Sequence, residues 1–356
     1  MTGTSNNIII FRRHGLDNLR TFLTGPVTVH HTAIPYGGVG AWGFKSVCFG
    51  APSPVLMGLN MFDQSFFMGL FFWISGHISA QSLSRSSPLS FIKSKALRLG
   101  VPALVHSFLV HPVIQAFLQP QWDISSICAS VLKSWKTTRG LRGPVWYAGT
   151  LLAFDIAAAV ATKLGYLSTR KSKKRSNICV ALCRYGWIGV AAFSFLVRLL
   201  YPVGTTIPFL NLQPAYVSQY IYAYLLGVLS YRPDEDRIYS PLEFTSISPL
   251  TATSSSATQG MIKRRGDTAL VQAVTMSLST MLLIFLSGYL SFPNSRLNGT
   301  IRDFSGGANR TAFIYAVWNE FSFAILAPTL MAYFQPWHSQ PTKSSVLVPR
   351  ASYAAF

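Results

Sequence analysis

The sequence has little charge, and it is especially poor in acidic residues. Of its 356 residues, 12% are charged, against about 25% in ordinary soluble domains. Eleven are Asp or Glu and 30 are Lys or Arg, so the formal net charge is +19. A soluble protein of this length needs more charge to cover its surface. The composition therefore excludes the two soluble domains that the length alone would allow.

The sequence is also poor in cysteine and has no metal-binding pattern. Its four cysteines are Cys48, Cys128, Cys179 and Cys183. Their spacing matches no zinc or other metal motif. Cys179 and Cys183 lie in an apolar run, where cysteine usually acts as a small packing residue. We therefore predict that the protein uses no metal.

Long apolar runs dominate what remains. Half of the residues are hydrophobic and 25 are Phe. A membrane-spanning helix needs about 20 mainly apolar residues. Eight runs qualify: Leu16–Ile34, Leu56–Ala80, Leu97–Leu118, Val145–Tyr166, Ile178–Tyr201, Phe209–Tyr231, Ala269–Phe292 and Thr311–Phe334. They predict an all-α, polytopic transmembrane bundle that forms one membrane domain over residues 1–356. Pro26 should kink the first helix or end it early.

The distribution of positive charge predicts an orientation. With the N-terminus in the cytoplasm, the cytoplasmic loops hold more than twice as many Lys and Arg residues as the opposite loops, as in most membrane proteins. These charges lie in short loops between apolar runs, which suits anionic lipid and disfavours nucleic acid as a partner. The one long polar stretch, residues 232–268, is rich in Ser and Thr and is predicted to be a disordered cytoplasmic loop.

Two Asn-x-Thr sequences fall on the opposite side. They begin at Asn298 and Asn309 and are glycosylation candidates if that loop enters a secretory lumen. We therefore expect a multi-pass glycoprotein of an endomembrane such as the endoplasmic reticulum.

The first apolar run contains four ionisable residues: Asp17, Arg20, His30 and His31. Ionisable residues inside spans are costly and usually functional. Arg20 and His31 are eleven positions apart, which places them on one side of a helix and about 16 Å apart along its axis. The simpler interpretation is that Arg20 extends to the lipid headgroups and His31 lies at the other interface. Glu320 lies in the middle of the last run, where it should face the interior and could pair with Arg198.

Five segments, taken in order, resemble the acyltransferase 3 family. They are the first run with ten residues between Arg20 and His31, the aromatic second run that ends in Ser75-Gly-His77, the pair Lys95 and Arg98 before the third run, Gly143-Pro-Val-Trp146-Tyr147, and Trp318-Asn-Glu320. Lys95 stands where the family has Arg, and Pro26 also departs from the pattern. The resemblance covers most of the chain.

The resemblance implies a membrane-bound O-acyltransferase of the glucan-modifying or fungal type. Acetyl-CoA or another acyl-CoA would be the donor, and the acceptor would be a hydroxyl of a glycan or of a small metabolite, as in secondary metabolism. His31 would be the general base, since the pKa of a free imidazole, about 6.5, suits proton transfer. His30 is the adjacent alternative. Arg20 and Glu320 complete the catalytic set, and Arg20, Lys95, Arg98 and Trp146 would bind the donor.

Two other functions stay open. Buried Arg, His and Glu can also form the relay of a membrane transporter, although the two halves of the chain show no matching pair of broken helices. Family members have about ten spans, whereas this chain shows eight, and residues 350–356 resemble the first turn of another. We therefore also expect that the chain is truncated, which allows an inactive homologue.

Overall fold

The computed structural model describes residues 14–38, 46–49, 53–118, 123–136, 140–141, 143–167, 173–231, 256–287 and 301–334. The described residues are almost entirely helical and include no β-strand. The helices are α1 (His14–Ala33), α2 (Pro54–Arg85), α3 (Pro88–Phe117), α4 (Ile124–Lys136), α5 (Trp146–Lys163), α6 (residues 173–200), α7 (Pro214–Ser230), α8 (Ser256–Leu286), α9 (Ile301–Ser305) and α10 (Arg310–Phe334). The all-α class is confirmed.

Helix α2 is the centre of the bundle. It is 32 residues long and is buried along most of its length, from Met57 to Leu83. It packs against α1, α7 and α10, while α6 and α8 pack against α10, and α5 packs against α3. The helices α1, α3, α6 and α8 end where α2, α5, α7 and α10 begin. We call this the upper end of the bundle and the opposite end the lower end.

Each of the eight predicted spans contains a helix, but the number of spans is not confirmed. Within the described residues, five helices are long and apolar enough to cross a membrane: Pro54–Arg85, Pro88–Phe117, Asn177–Leu200, Gly266–Leu286 and Arg310–Phe334. The three others are α1, α5 and α7. Helix α1 carries several ionisable residues, α5 carries Asp155 and Lys163, and α7 has 17 residues, or about 25 Å. Helices α1, α5 and α7, which are too short or too polar to meet this criterion, also carry many of the buried polar groups described below.

Three elements differ from the sequence predictions. Helix α1 continues through Pro26 to Ala33, so of the two predicted effects of Pro26, a kink or an early end, the early end does not occur. Helix α8 begins at Ser256, so residues 256–268 of the predicted loop are helical, because Gln, Lys and Arg in this stretch favour helix. Residues 232–255 lie outside the described part of the chain. Helix α4 was not predicted, since its 13 residues are too few to span a membrane.

Two glycines let α2 and α7 approach each other closely. A Cβ added at Gly76 would overlap the carbonyl oxygen of Tyr224, and one added at Gly227 would overlap the carbonyl oxygen of Trp73. Backbone therefore packs directly on backbone, as is common between membrane helices that carry small residues. This contact fixes the depth of α7 relative to α2.

Replacement of Gly227 by alanine tests this contact. We expect Gly227→Ala to lower stability by about 1–3 kcal/mol, because the new methyl group forces the two backbones apart. The measurement is the midpoint of thermal unfolding in detergent. The control is Gly189→Ala on α6, where no described heavy atom lies within 4 Å of the added Cβ. Equal midpoints for the two variants would show that α2 and α7 are not held this closely.

Candidate functional site

The C-terminal half of α1 carries one buried and one exposed histidine. The ring of His30 is buried and lies 5.2 Å from the ring of Phe67, and its carbonyl oxygen accepts a 2.9 Å hydrogen bond from Asn60. The next residue, His31, is exposed on the flank of α1. Arg20 is partly buried on the same flank, about three turns below. Both residues lie in the continuous helix α1, so their spacing of eleven residues keeps them on one side of it.

A tyrosine from α5 lies beside the lower part of α1. The hydroxyl of Tyr147 lies 2.7 Å from Ser75 Oγ and donates to the carbonyl oxygen of Phe71 at 3.2 Å. The positive charge of Arg20 acts on this hydroxyl. The first turn of α5 therefore brings a hydrogen-bonding group into the middle of the bundle, next to Arg20.

Trp146 lies next to Tyr147 and belongs to an aromatic cluster rather than to a surface. Its ring lies 6.5 Å from Phe72 and 5.8 Å from Tyr220. The hydroxyl of Tyr220 in turn accepts a 3.0 Å hydrogen bond from Gln64. Trp146 thus forms part of the aromatic wall that joins α2, α5 and α7.

One turn below Ser75 on α2 lies a charged network, which we call the lower network: Ser79, Lys95, Asp155 and Tyr224. Lys95 Nζ lies 2.8 Å from Asp155 Oδ2 and donates to Ser79 Oγ at 3.0 Å. The Tyr224 hydroxyl donates to Asp155 Oδ1 at 2.7 Å. The carboxylate is fully buried, and the Lys95 side chain is 18% exposed. The network ties α2, α3, α5 and α7 together with a neutralised charge pair.

The upper half of the bundle holds a second polar group of residues, which we call the upper cluster: Arg198, Tyr216, Gln219, Tyr315, Asn319 and Glu320. All six are buried. The Arg198 guanidinium lies 5.3 Å from the ring of Tyr216 and 4.7 Å from the ring of Tyr315. The two tyrosine hydroxyls are 3.2 Å apart.

Several polar atoms of the upper cluster have no hydrogen-bond partner among the described residues. They are all three guanidinium nitrogens of Arg198 and the side-chain oxygens Glu320 Oε2, Asn319 Oδ1 and Gln219 Oε1. The amide nitrogens are used: Asn319 donates to Glu320 Oε1, and Gln219 donates to the carbonyl oxygen of Ser65. No hydrogen bond among the described residues therefore joins Arg198 to Glu320.

The structure brings some of the predicted residues together and separates others. Arg20 lies near Tyr147, whereas Glu320 belongs to the upper cluster. Lys95 is bound to Asp155, and Arg98, one turn further along α3, is exposed. The donor-binding roles of these residues stay predictions.

The two glycosylation candidates differ in position. Asn298 lies outside the described residues. Asn309 caps the N-terminus of α10: its Oδ1 accepts from the amide nitrogen of Ala312 at 2.7 Å, and its Nδ2 donates to the Gly306 carbonyl oxygen. A glycan on Asn309 would have to be accommodated beside this cap. Glycosylation stays a prediction at both positions.

The sequence gave few signs of the other residues in the lower network and the upper cluster. Four tyrosines lie within nine residues of α7, Tyr216 to Tyr224, and three of them contribute hydroxyls to the networks described here. Tyrosine is enriched at membrane interfaces, so such a density inside one span is the signal that points to a polar interior. Ser79 and Gln219 gave no comparable signal.

The fold is that of a multi-pass membrane protein with a polar interior. A family model described as an acyltransferase domain, that of the acyltransferase 3 family, matches residues 13–334. The chain therefore belongs to this family and is an acyltransferase by family. The resemblance inferred from the motifs is confirmed. No curated protein sequence and no solved structure matched the chain.

Proposed function

We propose that the protein is an O-acyltransferase that moves an acyl group, acetyl in the first place, from acyl-CoA to a hydroxyl of a small metabolite or glycan. The observation that carries the proposal is the common flank of Arg20 and His31 on α1, in a chain of the acyltransferase family. The inward-facing His30 packs against Phe67, which leaves His31 as the accessible imidazole. The acceptor hydroxyl would approach this ring from the exposed side of α1.

The chemistry needs one group that first takes and then returns a proton. The imidazole of His31 removes the proton of the acceptor hydroxyl while the hydroxyl oxygen attacks the thioester carbonyl carbon. The new carbon–oxygen bond forms, and the carbonyl π electrons move onto the oxygen. Collapse of this intermediate breaks the carbon–sulfur bond, and the leaving thiolate takes the proton back from the imidazolium. The products are an ester and the free thiol of CoA.

The distance between Arg20 and His31 limits what Arg20 can contact. About 16 Å along the axis separates their backbones, so both side chains reach one donor molecule only if that molecule extends along α1. Arg20 would then hold a part of the donor away from the thioester. Arg98, one turn above Lys95 on α3, is exposed, which makes it the available cation for a CoA phosphate. With this contact, the donor would lie along the lower half of the bundle.

Purified protein in detergent with radiolabelled acetyl-CoA tests the proposal. The expected result is acyl-CoA-dependent labelling of hydroxylated acceptors, or, without an acceptor, slow release of labelled acetate by hydrolysis. Protein reconstituted in vesicles provides the contrasting measurement. Uptake of a solute without any turnover of acetyl-CoA would favour a transporter and contradict the proposal.

Arg98→Ala tests where the donor binds. We expect the variant to raise the KM for acetyl-CoA about tenfold or more, because a hydrogen bond to a charged group contributes about 1.5–3 kcal/mol. The kcat should stay close to that of the wild type, since the phosphates are remote from the reacting carbon. The control is Lys93→Ala, an exposed cation on the same helix. An equal rise of KM in both variants would indicate general attraction by the positive surface rather than a contact of Arg98.

A further inference from the structure

The last turn of α1, which carries His31, is weakly connected to the rest of the helix. Pro26 lies seven residues before the end of α1 at Ala33. Proline has no N–H group, so the carbonyl oxygen of Phe22 cannot receive the helical hydrogen bond that residue 26 would otherwise donate. The last four carbonyl groups of a helix also lack partners within it, and in α1 they belong to residues 30–33. The position of His31 therefore depends on contacts from outside α1.

Asn60 of α2 supplies such a contact. Its Nδ2 donates a 2.9 Å hydrogen bond to the carbonyl oxygen of His30, and its side chain is buried. This carbonyl belongs to the peptide group that joins His30 to His31. Asn60 thus holds the backbone of the proposed base, whereas the His30 ring packs against Phe67. A contact of this kind fixes the point from which the His31 side chain extends and leaves its imidazole free to react.

The segment that follows α1 packs against the same amide. Gly38 N donates to the carbonyl oxygen of Ala33 at 2.9 Å, which satisfies another of the last carbonyl groups of α1. A Cβ added at Gly38 would overlap Asn60 Oδ1, so this position has no room for a side chain. The amide of Asn60 therefore joins three parts of the chain: α2, the last turn of α1 and the backbone of Gly38.

We propose that Asn60 is a positioning residue for the general base His31. The inference rests on the proposed acyltransferase function and adds the group that fixes the depth and direction of the base. During the reaction the imidazole must lie about 2.6–3.2 Å from the acceptor hydroxyl. A misplacement of about 1 Å can cost about a hundredfold in rate. The hydrogen bond from Asn60 therefore affects kcat strongly, although Asn60 takes no proton itself.

Asn60→Leu tests the inference, because leucine has nearly the same shape as asparagine and cannot donate a hydrogen bond. The assay is turnover of labelled acetyl-CoA by the full chain in detergent, with glucose as the hydroxyl acceptor and with water alone. We expect kcat to fall about 10- to 100-fold, while the KM for acetyl-CoA stays within about twofold of the wild-type value. The control is Gln64→Met, one turn along the same helix, which loses a hydrogen bond to the Tyr220 hydroxyl. It should keep kcat within about threefold.

A double variant separates positioning from a general loss of structure. In the His31→Ala background there is no imidazole to position, so Asn60→Leu should lower the residual kcat by less than about twofold. A change that only damages the fold would lower kcat by the same factor in both backgrounds, since the effects of independent sites multiply. Equal factors would therefore overturn the inference, and so would a wild-type kcat in Asn60→Leu.

Gly38→Ala tests the same contact from its other side. It decides the question if Asn60→Leu does not fold or if the residual rate of His31→Ala is too low to compare. The added methyl group displaces the Asn60 amide, so kcat should fall at least about tenfold with the KM for acetyl-CoA unchanged. The control is Gly25→Ala on α1, where no described heavy atom lies within 4 Å of the added Cβ. An equal kcat in these two variants would contradict the inference.

The inference and the proposed function fail in different ways. If the wild type turns over no acetyl-CoA, or if His31→Ala is as active as the wild type, the proposed function or its base is wrong, and this inference with it. If His31→Ala loses activity while Asn60→Leu and Gly38→Ala behave like their controls, only this inference fails. In that case α1 would hold the base without help from α2.

Discussion

The variant His31→Ala is expected to lose acyl transfer almost completely. General base catalysis contributes about 100- to 10,000-fold to a rate, so kcat with acetyl-CoA and a hydroxylated acceptor should fall by a factor in that range. The KM for acetyl-CoA should change little, because the proton moves only in the chemical step and the donor phosphates would bind elsewhere. Initial rates of ester formation measured over a range of acetyl-CoA concentrations check both expectations.

The neighbouring histidine gives a matched control. In His30→Phe the new ring can occupy the place of the imidazole beside Phe67, and the hydrogen bond from Asn60 is kept because it reaches the backbone carbonyl. We expect this variant to retain activity within a few-fold. The reverse result, in which His30→Phe is inactive and His31→Ala is active, would move the base to the buried position. Full activity in both variants would mean that neither histidine is the base.

Most of the fold could be predicted from the sequence, because a helix that crosses the bilayer needs a run of about 20 mainly apolar residues. Every predicted run contains a helix, and the last one, Thr311–Phe334, begins within one residue of α10. Residues 256–268 were assigned to a loop since their polarity resembles that of their neighbours. The polar part of a helix that extends beyond an apolar run cannot be recognised from hydropathy. Helix α4 was missed for a similar reason, since it packs along α3 and is too short to span.

The site was accessible only in part. Arg20, His31 and Glu320 could be selected because an ionisable residue inside a span is rare and its position is visible in the sequence. Lys95 was selected because it falls on a motif of the family. Their partners could not be identified, because a contact between α3 and α5 or between α6 and α10 depends on the angle and depth at which helices pack. The pairing of Lys95 with Asp155 is the clearest case: the first residue suggested phosphate binding, and the structure places it 2.8 Å from a buried carboxylate.

The polar groups follow one another through the depth of α2. From the upper end they are Asn60, Gln64 and Ser65, then Ser75 and Ser79. Asn60 bonds to α1, Gln64 and Ser65 bond to α7, and the two lower serines bond to α5 and α3. The aromatic rings of Phe72 and Tyr220 lie between the two sets, stacked at 4.9 Å. A single helix thereby connects the proposed donor side at the lower end with the upper cluster.

Removal of Lys95 is expected to have the largest effect on stability. In Lys95→Met the Asp155 carboxylate stays buried without its cation, and breaking a buried ion pair in this way costs about 3–5 kcal/mol. The thermal unfolding midpoint in detergent should fall strongly, or the variant should fail to purify as a single species. Lys93→Met, two residues earlier on the same helix and exposed, should leave the midpoint unchanged.

The double variant Lys95→Met/Asp155→Asn separates the structural role of Lys95 from donor binding. It removes both charges and keeps an oxygen that can accept from Tyr224, so the unfolding midpoint should return close to that of the wild type. If Lys95 only neutralises the Asp155 carboxylate and does not contact the donor, the KM for acetyl-CoA in this variant should stay within about threefold of the wild-type value. A rise of tenfold or more in a stable double variant would show that Lys95 also holds the donor, as the family motif implies. Failure of the double variant to regain stability would show that the charge pair itself, rather than its neutrality, keeps α3 and α5 together.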